Sequence, residues 1–69
     1  MRSHEEHILC ILADAMDPLY LSDITKQLNL RMGARTPFTR IEVMMALTEL
    51  APQLEQDGQG RWMLKRRGS

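Results

Sequence analysis

Residues 39–64 constrain the fold of this chain more than any other stretch. Thr39-Arg40-Ile41-Glu42 places a hydroxyl three residues ahead of a carboxylate, the spacing of a capping box, in which each side chain satisfies a backbone N–H of the other. It predicts a helix from Thr39 to about Leu50. A competing start, with Thr36 as cap and Pro37 in the first position, has one signal fewer. Pro52 stops the helix. Leu54-Glu55-Gln56, Asp57-Gly58-Gln59-Gly60 and Arg61-Trp62-Met63-Leu64 then read as strand, turn and strand. Period-two alternation turns Leu54, Trp62 and Leu64 inward and Arg61, Met63 and Lys65 outward, with Trp62 largely buried against this helix. Asp57-Gly58 is a pair that tolerates positive φ. A helix running straight into a hairpin leaves a short chain few layouts.

The residues before it supply two more helices. Ser3-His4-Glu5-Glu6 is a second capping box, and Ile8, Ile11, Leu12 and Ala15 follow on one helical face. Pro18 follows its end. Leu19-Tyr20-Leu21 is too short for a helix and suits a strand pairing with the hairpin. Ser22 is expected to cap the next helix, with Asp23 at the positive end of its dipole. Ile24 and Leu28 face inward, Asn29 can terminate the helix, and Gly33 lies outside it. Residues 31–37 then form a loop, longer than the ~3–4 residue turn of a simple helix-turn-helix. Fourteen apolar side chains are candidates for one core: Ile8, Ile11, Leu12, Ala15, Leu19, Leu21, Ile24, Leu28, Val43, Leu47, Leu50, Leu54, Trp62 and Leu64. Phe38 and Val43 are spaced as a hydrophobic staple.

Sixty-nine residues make one domain, 1–69, with a basic and flexible tail over 65–69. A domain of this size buries only about 60% of its unfolded surface and is marginally stable. The single cysteine, Cys10, rules out an internal disulfide and a zinc knuckle. The N-terminus lacks the apolar run of a signal peptide, and nothing approaches the ~20 apolar residues of a membrane helix. The expectation is a complete small cytoplasmic protein. Nine basic and nine acidic residues cancel. They are segregated, however: residues 1–25 carry Glu5, Glu6, Asp14, Asp17 and Asp23 against Arg2. Residues 26–40 carry Lys26, Arg31, Arg35 and Arg40, and residues 61–67 carry Arg61, Lys65, Arg66 and Arg67, with no acid in either stretch.

The order helix, short strand, helix, loop, helix, strand, strand describes a mainly α fold with a small β-sheet. With Pro18-Leu19-Tyr20 and Ile24, Thr36-Pro37, Leu47 and Gly60-Arg61-Trp62-Met63-Leu64, the chain resembles the winged-helix superfamily, and within it the HARE helix-turn-helix group. The resemblance spans Ile8 to Lys65. It implies three helices with a C-terminal hairpin wing, and a binding role without catalytic residues.

In that layout the two basic stretches flank the third helix. The candidate nucleic-acid-binding residues are Lys26, Arg31, Arg35, Thr39, Arg40, Arg61, Lys65, Arg66 and Arg67. Arg31, Arg35, Arg40 and Arg61 are expected to converge on one face, beside phosphates or, for Arg61, in a minor groove. The expected function is a small bacterial or phage-like DNA-binding transcriptional regulator whose partner is double-stranded DNA, with homodimerisation extending its short reach. Glu42 and Glu49 work against this, since carboxylates on the third helix repel phosphates. The alternative is a winged-helix module that docks on transcription machinery or another protein. Ile41 and Met45 bear on that choice. They are expected to complete the core against the first helix; exposed, they would form with Met32 and Met44 an adaptable apolar surface. His7, Cys10 and Asp14 have metal-compatible spacing on one helical face, a pattern that arises easily by chance. No nucleophile with a base and no phosphate-binding glycine loop is discernible, so neither an enzyme nor a cofactor is expected.

Overall fold

Three helices come first and an antiparallel hairpin follows the last of them, a small winged-helix-like layout. The computed structural model describes residues 3–33 and 35–65, for Ser3 the backbone only. The elements are α1 (Ser3–Asp14), α2 (Leu21–Met32), α3 (Arg40–Leu50), a short 3-10 turn (Ala51–Gln53), β1 (Leu54–Gln56) and β2 (Trp62–Leu64). The expected cap by the Ser3 side chain and the tail residues Arg66 and Arg67 lie outside the described residues.

The helices meet along their apolar stripes. Ile8, Ile11 and Leu12 of α1, Ile24 and Leu28 of α2, and Val43, Ala46, Leu47 and Leu50 of α3 form one buried cluster, closed below by Leu54. Leu19, Leu21, Trp62 and Leu64 pack on its edge, half-buried. Trp62 is therefore less buried than its alternation suggested, and its strand packs on α1. The reason is sheet size: β1 and β2 pair over three residues each, Leu54 with Leu64, Glu55 with Met63 and Gln56 with Trp62. So small a sheet leaves Trp62 only half-buried.

Leu19 alone of the expected first strand pairs with the hairpin. It exchanges two backbone hydrogen bonds with Trp62, at 3.0 and 2.7 Å. Leu21 already belongs to α2, which starts earlier than Ser22. Tyr20 occupies the cap position in an extended conformation, its carbonyl accepting from Ile24 N–H at 3.0 Å and its side chain making no cap bond. Tertiary contacts fix this start: the Tyr20 hydroxyl donates to Gln59 Oε1 at 3.1 Å, and the Arg61 guanidinium lies 5.9 Å from the centre of its ring. At the other end α2 continues past Asn29 to Met32. Gly33 closes it at φ 57°, donating its N–H to Asn29 O at 3.0 Å. That conformation suits a residue without a Cβ. Among the described residues, no helix is long and apolar enough to cross a membrane.

Candidate nucleic-acid interface and the outward face of the third helix

Two devices position the start of α3. Thr39 Oγ1 accepts from Glu42 N–H at 3.2 Å, while Glu42 Oε1 accepts from Thr39 N–H, also at 3.2 Å. The capping box read from the sequence is thus formed, and Thr36 is not the cap. The second device is Asn29. Its Oδ1 accepts from Phe38 N–H at 2.7 Å and its Nδ2 donates to Phe38 O at 3.1 Å. A side-chain amide so holds both backbone polar groups of one loop residue across to α2. Phe38 packs on the core edge and meets the ring of His4 with centroids 5.5 Å apart. Thr39→Ala removes one half of the box and is expected to cost about 1 kcal/mol. Chemical denaturation would show it as a lower midpoint at unchanged slope.

The seven candidate residues that are described do not form one free cationic face. Arg31 lies in the last turn of α2 and turns back to α1, with its Nη2 3.0 Å from Asp14 Oδ2. It therefore points toward the acidic first helix. Thr39 is a cap whose hydroxyl is already engaged by Glu42. Arg61 is half-buried and built into the hairpin loop. Its Nε donates to Asp57 Oδ2 at 2.7 Å and its backbone N–H to Asp57 Oδ1 at 2.8 Å. Lys26, Arg35, Arg40 and Lys65 are exposed and have no ion-pair partner among the described residues. Arg66 and Arg67 lie outside them. An acid seventeen residues away and another four residues away thus neutralise two arginines that stand in acid-free stretches.

Asp57 also organises the loop. Its Oδ1 accepts from Gln59 N–H at 2.9 Å, the turn closes through Gly60 N–H to Asp57 O at 3.1 Å, and Gln56 Nε2 donates to Gly60 O at 3.0 Å. The positive φ falls on Gly60, at 84°, and not on the Asp57-Gly58 pair. This is the geometry of a three-residue hairpin loop ending in a left-handed glycine. Partial burial alone would raise the Asp57 pKa. The hydrogen bonds from Arg61 and Gln59, and the charge of Arg61, outweigh it and hold the carboxyl below its ordinary 3.8. A lowered folded-state pKa stabilises above the unfolded value, and that contribution is lost as pH falls through the folded one. Asp57→Asn is accordingly expected to destabilise the protein at neutral pH, and the gap to wild type should close as pH drops below about 4. Parallel acid titrations followed by Trp62 fluorescence would show a constant gap if Asp57 had no such role.

The outward face of α3 departs most from expectation. Ile41 is 74% exposed, Met45 65% and Met44 39%, so Ile41 and Met45 do not complete the core. Ala46, not among the expected core residues, is buried in the cluster instead. At about 100° per residue, Met44, Thr48, Ile41 and Met45 share an arc opposite Val43, Leu47, Leu50 and Ala46. Leu21, Arg40, Ile41, Met44 and Met45 line a shallow, almost wholly apolar groove. Met45 also borders a second groove, with His4, Phe38, Glu42, Ala46 and Glu49. Elsewhere, Cys10 is exposed and His7 half-buried. Among the described residues, no group of three or more His, Cys, Asp or Glu is placed to hold a metal ion.

No family model, curated protein or solved structure matches the chain.

Proposed function

We propose that this chain is a winged-helix protein-interaction module that docks another protein through the outward face of α3. One observation carries the reading: the helix that would enter a DNA groove in this layout presents Ile41, Met44 and Met45 to solvent, with Glu42 and Glu49 exposed beside them. Apolar side chains gain from being covered by a partner, and the two carboxylates repel a phosphate backbone. The pairing of Arg31 with Asp14 and of Arg61 with Asp57 further reduces the charge available to DNA.

Duplex DNA is the second reading, and Lys26, Arg35, Arg40 and Lys65, exposed and without ion-pair partners among the described residues, favour it. Such binding would weaken by roughly one logarithmic unit of slope per phosphate neutralised as salt rises, whereas apolar docking would not. Photo-crosslinking in cells that make the protein separates the two. A photoreactive residue at position 45 is expected to give a discrete protein adduct, lost in the Ile41→Asp background. A nucleic-acid adduct from position 35, with none of protein from position 45, would overturn the docking reading in favour of DNA.

A further inference from the structure

Three methionines among the described residues stand in solvent: Met16 at 97% exposure, Met45 at 65% and Met44 at 39%. Met32 and Met63 are half-buried, and Met32 packs on the core. Met16, in the turn after α1, borders grooves made by α1, α2 and the hairpin. Met44 and Met45 instead line the apolar groove on α3 with Leu21, Arg40 and Ile41, and the core cluster is built without them. The chemistry of two thioethers therefore sets the polarity of that groove, and changing it leaves the packing of the helices alone. Resting on the docking reading, we propose that Met44 and Met45 are an oxidation site that regulates the α3 face. A peroxide converts their thioethers to sulfoxides, the groove turns polar, and the partner is released from a chain that stays folded.

With hydrogen peroxide, a sulfur lone pair attacks one peroxide oxygen. An S–O bond forms and the O–O bond breaks. The sulfur is oxidised, and the departing hydroxide takes up the remaining proton and leaves as water. Exposure governs which thioethers react. The product is a strong acceptor where a flexible apolar group stood, and burying it under an apolar partner without a donor costs free energy. In the undocked chain the sulfoxide oxygens are hydrated. Arg40 offers a further donor. It lies one helical turn before Met44, lines the same groove, and has no ion-pair partner among the described residues. Oxidation thus favours the free face over the covered one.

The test uses the purified full chain with a photoreactive residue at position 48, which is exposed on the same arc. The chain is treated with graded hydrogen peroxide, the peroxide is removed, and oxidation is read residue by residue by mass spectrometry. It is then irradiated in a desalted extract of the cells that make it. Oxidation is expected first at Met16, then at Met45 and Met44, ahead of Met32 and Met63. With Met44 and Met45 oxidised, Tm should stay within about 4 °C of the untreated chain, while the yield of protein adduct falls about tenfold or more. Methionine sulfoxide reductases for the two epimers should restore the yield. Met16→Leu should show the same loss. In the Met44→Leu/Met45→Leu double variant, the ratio of treated to untreated yield should approach one, whatever the untreated yield. An adduct that persists with both methionines oxidised overturns the proposal, as does a loss that follows Met16 or recurs in the double variant. A collapse of Tm on oxidation of Met45 places that residue in the core and overturns the proposal together with the docking face. No protein adduct from the untreated, folded chain is the failure of the docking reading itself, and the proposal falls with it.

Discussion

Leu47→Ala is expected to unfold a large part of the protein at room temperature. Leu47 is completely buried within the cluster that joins the three helices. Truncation at such a site costs the transfer free energy of the lost methyl groups plus that of the cavity, about 2.7–5 kcal/mol. A domain of this size has roughly 5 kcal/mol to lose. Trp62→Ala removes more atoms but should cost less than the ~3–5 kcal/mol of a buried aromatic, because the indole is half-exposed at the edge of a small sheet. Urea denaturation of both variants checks the order. A Leu47→Ala protein with the wild-type midpoint would mean that the helices do not meet where they are placed.

Asn29→Ala should have the next largest effect. It deletes no apolar contact, but it strands the N–H and C=O of Phe38 together, in a partly buried position. Leaving a buried polar group without its partner costs about 1–3 kcal/mol, and two are involved. The loss should also loosen the segment that delivers Thr39 to its cap, so amide exchange should accelerate at Phe38, Thr39 and Glu42 beyond the global loss of stability. Asn29→Asp separates the halves of the clamp: a carboxylate still accepts from Phe38 N–H but faces Phe38 O with no proton to donate. It should recover part of the loss. If Asn29→Ala matches wild type in both stability and exchange, the clamp is not formed in solution.

These contacts also show what was legible in the sequence. The start of α3 was, because Thr39 and Glu42 carry two local signals that agree. So were Ile8, Ile11, Leu12, Ile24 and Leu28, which recur at helical spacing beside polar neighbours. The inward face of α3 was legible in part: Val43, Leu47 and Leu50 are buried as their spacing indicates, but Ile41 and Met45 are exposed and Ala46 is buried. Ile41, Met44 and Met45 extend apolar character around most of the circumference, so periodicity does not bound the inward arc. That choice is made by α1 and α2, which cover Val43, Ala46, Leu47 and Leu50. The start of α2 was missed because Leu21 follows no capping side chain and is set by the contacts of Tyr20. The basic face was overcounted for a related reason. Arg31 finds Asp14 seventeen positions away, and Arg61 finds an acid just outside its own charge run.

The placement of Ile41 on the solvent side of α3 underlies the docking reading, and a melting curve of Ile41→Asp tests it most directly. The carboxylate would sit in the first turn of α3, where the helix dipole favours it. A surface substitution of this kind changes stability by no more than about 0.5 kcal/mol, which for a domain this small is a shift of roughly 2–4 °C in Tm. The expected result is a Tm within that range of wild type, together with loss of partner crosslinking from position 45. A collapse of Tm approaching that of Leu47→Ala would put Ile41 in the core and contradict the docking face.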